Sequence, residues 1–299
     1  MGGFNGGLCP PDAEKWAFIS RRLNFRVGGE NISKINNFRI IGQGNKALFL
    51  SFKILEVNEL IFYLADDDLI LGYRDCEWTG LGPFLEEDLA LSSIAQDEIA
   101  HASIFYEIIG NPDDFVYKRE PKSFKNAYIL ELENYDYIFT LVRHLFYDEF
   151  DYIRISALLN SNNYELKSRA EKIILEENYH LKHFRVFIDR ILKKDEGILI
   201  LKETLNKFIF DLFSLFEIDE SILNVYNSSL FPISYEEHFE KFYESIKNQF
   251  SFYNFPSKTE ILNYVKNLKS SRNGNKSEEF IKFYMTFTEV YRIEPNAKW

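Results

Sequence analysis

The chain has 299 residues, 46% of them hydrophobic and 17% aromatic, so it can bury one large core, with or without a small appendage. Its formal net charge of -11 at pH 7 argues against a nucleic-acid partner, because phosphate contacts need clustered Lys and Arg. The two cysteines, Cys9 and Cys76, are too few for a disulfide framework or an iron–sulfur cluster. Charged residues interrupt the apolar stretches before they reach membrane-spanning length, so we expect a cytoplasmic protein with no membrane segment.

The N-terminal part differs in texture from the rest of the chain. Residues 1–54 hold eight Lys or Arg against three Asp or Glu, whereas long helical periodicity follows. We therefore predict an extension over residues 1–55, of undecided role, and one helical domain over residues 56–299. Gly42 and Gly44 fit a dinucleotide-binding G-x-G-x-x-A pattern, but no repeated alternation of strands and helices follows, so a simple turn is favoured.

The remainder of the chain reads as helices separated by Pro- and Gly-containing breaks such as "GLGP" and "GNPDD". Long helices joined by short loops pack as antiparallel neighbours, which predicts an all-α bundle with additional C-terminal helices. The predicted helices span residues 56–79, 84–110, 131–160, 164–194, 196–217, 235–252, 257–270 and 277–293.

Two of these helices carry a Glu-x-x-His motif on an apolar stripe. The second helix has Glu98 and His101 in step with Leu91, Ile94, Ala95 and Phe105. The fourth has Glu177 and His180 in step with Ala170, Ile173 and Phe184. Because the same two polar groups interrupt both stripes, the helices are predicted to share one buried site.

The first and third helices each offer an acid on an apolar stripe, Asp68 and Glu149. Asp68 precedes Glu98 by 30 residues and Glu149 precedes Glu177 by 28, so each half reads as a hairpin that supplies an acid and then Glu-x-x-His. Unpaired buried carboxylates are costly, so four in one core require cations among them. The choice rests on helical phase and spacing, because other acids lie close by: Asp66, Asp67, Asp148 and Asp151.

This donor set predicts a metal centre. Ferritin-like carboxylate proteins take one acid from each of two helices and Glu-x-x-His from each of two others. Such a set binds two ions per chain, and oxygen-rich donors with open positions suit iron, or manganese, better than structural zinc. Iron is favoured because a reduced iron pair binds and cleaves O2. The predicted metal-binding and catalytic residues are Asp68, Glu98, His101, Glu149, Glu177 and His180.

Two stretches carry a resemblance to a known family. "LADDDLILGYRDCEWTGLGPFLEEDLALSSIAQDEIAHA" and "EEFIKFYMTFTEVYRIEPNAKW" resemble the phenylacetate catabolism family, in particular the C subunit of the phenylacetyl-CoA 1,2-epoxidase complex. The likeness covers about residues 56–299 and implies a ferritin-like fold. The C subunit lacks iron ligands and is a structural partner, whereas "QDEIAH" and "EENYH" are similar to the catalytic A subunit.

The resemblance also implies roles and partners. It assigns metal ligation to both Glu-x-x-His pairs directly and to Asp68 and Glu149 by alignment, and it implies that Asp97 and Glu176 orient the histidines. The implied substrates are O2 and an aromatic acyl-CoA. Oxygen activation needs electrons, so a separate reductase is expected, with a homodimer or a heterodimer containing a related bundle subunit.

Other interpretations remain open at this stage. A ribonucleotide reductase small subunit uses a comparable ligand set, but its radical tyrosine would fall at Phe105. A different ferritin-like di-metal protein is also compatible. A non-catalytic structural subunit is favoured by the C-like frame and disfavoured by the intact ligand set.

Overall fold

The computed structural model describes residues 55–218, 220–269 and 271–295 with their side chains. It also describes the backbone of a helix from Asn45 and of two antiparallel strands, Arg26–Val27 and Glu30–Asn31. Contacts between Cα atoms group Glu56–Ile293 into one compact unit, and this unit holds every predicted site residue. The glycine pattern at Gly42 and Gly44 lies outside the described residues.

Four long helices carry the predicted site residues: α1 (Asn45–Cys76), α2 (Leu85–Tyr106), α5 (Tyr137–Leu158) and α6 (Tyr164–Ile191). Within the described part of Glu56–Ile293, all regular elements are helical apart from one isolated bridge, which confirms the all-α fold. None of the described helices combines the length and apolar character needed to cross a bilayer. The shorter α-helices are α3 (Pro112–Tyr117), α4 (Tyr128–Glu131), α7 (Asp195–Leu212), α8 (Glu220–Leu223), α9 (Tyr235–Gln249), α10 (Lys258–Asn267), α11 (Glu278–Phe287) and α12 (Glu289–Ile293).

Side-chain caps determine where several helices begin. Asp136 accepts a hydrogen bond from the Phe139 amide, so α5 begins at Tyr137 and not at residue 131 as predicted. Asn163 caps α6, and Ser257 forms a capping box with Glu260 at the start of α10. The start of α1 at Asn45 was missed because the predicted helix began only where apolar periodicity became regular.

A glycine allows α1 and α2 to approach closely at the level of the site. A Cβ atom added to Gly72 would lie 2.9 Å from the Ala95 carbonyl oxygen and 3.0 Å from the Glu98 Cβ. Such distances are too short for any larger residue without a shift of one helix. Gly72 therefore brings the backbone that carries Asp68 against the backbone that carries Glu98.

Helix α5 occupies the centre of the compact unit. It packs against α6, α7 and α9, and every residue from Phe139 to Asp151 is buried. Because the helix is covered on all sides, its polar residues also lie in the core. The buried set includes Arg143, His144, Asp148, Asp151 and Arg154.

Buried ion pairs fasten the C-terminal segment to α1. Arg272, in the short 3-10 turn Ser271–Asn273, donates to both carboxylate oxygens of Asp67 at 3.1 and 2.9 Å. Arg154 of α5 donates to the same carboxylate at 2.8 Å. Two guanidinium groups thus neutralise one buried acid, and they join three distant parts of the sequence.

We expect Arg272→Met to lower the free energy of unfolding by about 3 kcal/mol, near the lower end for loss of one partner of a buried pair, because Arg154 still compensates Asp67. Equilibrium unfolding in urea measures this change. The control is Lys258→Met, because Lys258 bridges Glu240 and Glu244 at the surface and its loss should leave stability nearly unchanged. Equal stability of the two variants would show that the buried pair contributes nothing.

Candidate metal centre

The two Glu-x-x-His motifs meet in the core between α2 and α6. Glu98, His101 and Glu177 each offer a ligand atom, and these atoms all lie within 4.8 Å of one another. All three side chains and that of His180 are buried. The predicted apolar stripes of both helices are buried as well, so the helical phase predicted for the two motifs is confirmed.

The imidazole of His101 spans two adjacent acids of the opposite helix. Its Nε2 lies 2.8 Å from Oε2 of Glu176, an exposed residue. Its Nδ1 lies 2.8 Å from Oε1 of Glu177, but without the alignment of a hydrogen bond. Burial opposes a charge on this imidazole, yet Glu176 and Glu177 together raise the pKa of His101 well above its ordinary value.

His180 repeats this arrangement in the reverse direction. Its Nε2 lies 3.4 Å from Oδ2 of Asp97, and its Nδ1 lies 3.1 Å from Oε1 of Glu98. Burial again opposes the charge, and the two acids raise the pKa of His180 to about 12. Asp97 and Glu176 therefore orient the histidines, as the resemblance implied, and each acts on the histidine of the other helix.

The pKa values of the two motif carboxylates, Glu98 and Glu177, shift in opposite directions. Burial and repulsion from Glu177 raise the pKa of Glu98 to about 8. Burial also acts on Glu177, but the contact with His101 lowers the pKa of Glu177 below its ordinary value. In the absence of a metal, Glu98 is thus the carboxyl that more readily takes up a proton.

Several buried ligand atoms around this cluster lack a hydrogen-bond partner. Buried polar atoms are normally satisfied, so carboxylate oxygens that lack a hydrogen bond leave negative charge that a cation could compensate. A set of carboxylates with two histidines fits hard divalent metals such as iron or manganese. The atoms are Oε2 of Glu98, Nδ1 of His101, both carboxylate oxygens of Glu177, and Oδ2 of Asp148 and of Asp151.

Asp68 lies beside this cluster in the core. Burial, then repulsion from Asp151 and Glu98, raises the pKa of Asp68 well above its ordinary value. The Tyr147 hydroxyl donates to its Oδ1, and Nη2 of Arg154 lies 3.9 Å from the same oxygen. The neighbouring acids Asp66 and Asp67 point elsewhere, to Arg119 and to Arg154 with Arg272.

Glu149 is not brought to the cluster. Glu149 as a whole is 6% exposed. Its carboxylate pairs with Arg185 of α6, which also donates a hydrogen bond to Ser245. The preceding residue, Asp148, is fully buried, and both His180 and Glu177 act electrostatically on its charge. Among the acids of α5, Asp148 and Asp151 therefore lie near the cluster, where the sequence prediction had put Glu149. Asp151 is paired with Arg154.

A buried histidine holds Asp148 in place. Nδ1 of His144 lies 3.4 Å from Oδ1 of Asp148, and its Nε2 lies 2.8 Å from Oδ1 of Asp75 on α1. The ring stacks on Phe184 with 4.1 Å between ring centroids. Sequence reasoning missed this chain of contacts, although the four-residue spacing of His144 and Asp148 places both on one helix face.

In metal-free protein we expect the stability of the wild type to fall, relative to Glu98→Gln, as pH rises from about 5 to 8. The pKa of Glu98 in the folded chain, about 8, exceeds the 4.5 of an ordinary Glu. Between these two pKa values the folded chain keeps a proton on Glu98 that the unfolded chain has released. The stabilisation of the folded chain by this proton is complete below pH 4.5 and is lost as pH rises through 8. Between these pKa values the free energy of unfolding should fall by about 1.4 kcal/mol per pH unit. Urea unfolding with a chelator measures it, and parallel curves would contradict the prediction.

Comparison with known proteins agrees with the resemblance in the sequence. A family model described as phenylacetic acid catabolic protein matches residues 53–251, a span that includes both Glu-x-x-His motifs. The C subunit of 1,2-phenylacetyl-CoA epoxidase from Escherichia coli (strain K12) is 30% identical over 176 residues, which cover 54% of this chain and 71% of the relative. The chain therefore belongs to the phenylacetic acid catabolic protein family.

Proposed function

We propose that this protein is the di-iron oxygenase subunit of an epoxidase of the phenylacetyl-CoA type, acting with O2 on the ring of an aromatic acyl-CoA. The observation that carries the proposal is the crossed pair of histidines, each held by an acid at Nε2 while Nδ1 faces a carboxylate of the opposite helix. The family and the name of the relative support the substrate class.

The proposed ligands are the two Glu-x-x-His pairs with one acid from α1 and one from α5. On α1 we assign Asp68, because Asp66 and Asp67 are already paired with arginines. On α5 we assign Asp148, because it keeps a buried oxygen without a partner and is paired with no arginine among the described residues. Glu149, by contrast, pairs with Arg185, and Asp151 pairs with Arg154. Iron is preferred and manganese is the second choice, since both accept carboxylate-rich sites.

When bound, an iron pair supplies the electrons that activate O2 for transfer of an oxygen atom to the ring. The residues of the chain prepare the site for this chemistry. Hydrogen bonds from Nε2 to Asp97 and Glu176 orient the two imidazoles and leave Nδ1 directed inward. Full burial of Glu98, Glu177 and His180 excludes water from the position where the oxidant would form.

Electrons must come from another protein. The sequence has two cysteines, too few for an iron–sulfur cluster, and the described compact unit is helical, without a dinucleotide-binding sheet. We propose a separate reductase and a related bundle subunit as partners, in a homodimer or a heterodimer. The relative is named as one subunit of an epoxidase, which supports such an assembly.

A structural role in the same kind of complex is the second candidate. It is favoured by one observation, the 30% identity to a C subunit. It offers no reason for the unsatisfied buried oxygens of Glu98 and Glu177, which a structural subunit would be expected to pair or replace. The oxygenase is therefore our preferred proposal.

Protein expressed with added iron should hold about two iron ions per chain, as in other ferritin-like carboxylate proteins. Asp148→Asn should reduce this to about one, because one position loses its α5 carboxylate. Glu149→Gln is the matched control and should retain the wild-type content, since Glu149 faces Arg185. Elemental analysis measures all three. Iron lost from the Glu149 variant and kept in the Asp148 variant would reverse the assignment.

A single-turnover experiment separates the oxygenase from the structural subunit. The iron-loaded chain is reduced chemically and then mixed with O2 and phenylacetyl-CoA, and an oxygenated thioester is expected by mass spectrometry. NADH or NADPH without a reductase should give no product, because the described compact unit has no dinucleotide-binding sheet that would hold a hydride donor. Bound iron that never reacts with O2 would favour the structural role.

A further inference from the structure

A buried tyrosine is hydrogen-bonded to the proposed ligand Asp68. The Tyr147 hydroxyl donates to Oδ1 of Asp68 and receives a hydrogen bond from Nη2 of Arg154 at 3.2 Å. A guanidinium can only donate, so the phenolic proton must point to the carboxylate. Tyr147 therefore has one defined proton acceptor, and that acceptor lies beside the metal centre.

Two other buried tyrosines, Tyr63 and Tyr226, belong to a series of hydrogen bonds whose donor and acceptor atoms are equally defined. Nε2 of His238 lies 3.1 Å from the Phe150 carbonyl oxygen, which can only accept, so this nitrogen carries the hydrogen. Nδ1 must then accept from the Tyr226 hydroxyl at 3.0 Å, and Tyr226 must accept from Tyr63 at 2.9 Å. Burial, assisted by Arg154, lowers the pKa of His238 to about 3 and keeps the imidazole neutral, as this direction requires.

Arg154 connects the two groups. Its guanidinium carbon lies 5.8 Å from the ring centroid of Tyr147 and 5.0 Å from that of Tyr63. The ring of Tyr63 lies 6.3 Å from that of Tyr226, which lies 5.6 Å from the ring of Tyr235. Tyr235 is partly exposed, so closely spaced tyrosines lead from Tyr63 to the surface of the compact unit. Tyr147, beside Asp68, is separated from this series by the guanidinium of Arg154.

We propose that Tyr147 is a redox-active tyrosine and that, with Tyr63, Tyr226 and Tyr235, it forms a route by which oxidising equivalents leave the metal centre when no substrate is present. The inference rests on the proposed function, because the oxidant is the iron centre after its reaction with O2. A centre that activates O2 in a sealed core otherwise oxidises its own ligands, so a nearby electron source protects it.

Electrons and protons balance in each of the first two steps. Tyr147 gives one electron to the oxidised centre, which is reduced by one electron, and the phenolic proton moves to Oδ1 of Asp68, leaving a neutral tyrosyl radical. Tyr63 then gives one electron to Tyr147, which recovers its proton from Asp68. The proton of Tyr63 moves to the oxygen of Tyr226 as Tyr226 passes its own to Nδ1 of His238. An oxidised phenol is a much stronger acid than an imidazolium of pKa about 3, so His238 can hold this proton while the radical lasts.

The outward steps follow the same rule. Tyr226 gives one electron to Tyr63, which regains a proton through the reversed hydrogen bond, and Tyr226 becomes the radical while His238 holds its proton. Tyr235 then gives one electron to Tyr226, which recovers that proton. The Tyr235 hydroxyl donates to the Phe216 carbonyl oxygen at 2.9 Å, which cannot hold a proton, so the phenolic proton passes to solvent water at the partly exposed edge of Tyr235. A thiol reductant in solution can return a hydrogen atom to Tyr235 and complete the sequence.

Tyr106 is a matched control within the same core. Its hydroxyl donates to Asp66 and receives a hydrogen bond from Arg119 at 3.0 Å, so it copies the bonding of Tyr147. Asp66, however, is committed to Arg119 and to the Lys125 amide. The ring of Tyr106 packs against Phe62 and Phe115, which places it in a phenylalanine cluster and outside the tyrosine series.

The test is electron paramagnetic resonance of the iron-loaded, reduced protein frozen after mixing with O2 without substrate. A tyrosyl radical signal is expected, with a hyperfine pattern that narrows when the protein contains ring-deuterated tyrosine. Tyr147→Phe should lose the signal and Tyr106→Phe should retain it. Tyr226→Phe should lengthen the lifetime of the radical signal, because this variant interrupts the route to the surface.

Iron content and an unfolding curve are measured on every variant, so a misfolded protein is recognised. A second variant carries 3-fluorotyrosine at position 147, which keeps the hydroxyl and should add a fluorine splitting to the signal. Bound iron without a radical, or an unchanged signal in Tyr147→Phe, would overturn this inference alone. A wild-type chain that binds no iron would overturn the proposed metal centre and this route with it.

Discussion

Many carboxylates lie at one level of a helical core, and their need for compensating charge governs the arrangement around them. Nearby arginines satisfy Asp66 and Asp67, and imidazoles satisfy part of the charge of Glu98 and Glu177. Buried oxygens without a hydrogen bond remain on Glu98, Glu177, Asp148 and Asp151, which are carried by α2, α5 and α6. Since an isolated buried carboxylate is costly, this remaining charge is the physical reason to propose metal ions there.

The three consecutive aspartates of α1 divide this compensation among different parts of the chain. Asp66 binds Arg119 in the segment after α3, Asp67 binds Arg272 near the C-terminal helices, and Asp68 faces the cluster. Because the residues are adjacent on one rigid helix, packing of the C-terminal segment also positions the proposed ligand. The additional helices are thus part of the support of the centre, which a four-helix bundle alone would lack.

The two histidines of the proposed centre, His101 and His180, are held in the same way, each by an acid of the opposite helix. Arg154 makes the surroundings of the two histidines different. Arg154 lies on the side of Asp68 and Asp151, where it also contacts Tyr147. On the other side His144 contacts Asp148. The two acids of α5 near the proposed centre thus have different partners, Arg154 for Asp151 and His144 for Asp148.

The sequence alone determined the all-α fold and placed both Glu-x-x-His motifs on buried stripes, because apolar residues at three- and four-residue steps mark the faces of α2 and α6 that are buried. It could not select the acid of α5, since that helix is covered on nearly every side and Asp148, Glu149 and Asp151 are all buried. Only tertiary structure paired Glu149 with Arg185 and placed Asp148 against His144. Those partners come from other helices or from within a buried one, and local sequence does not encode which of several neighbouring acids a distant cation will reach.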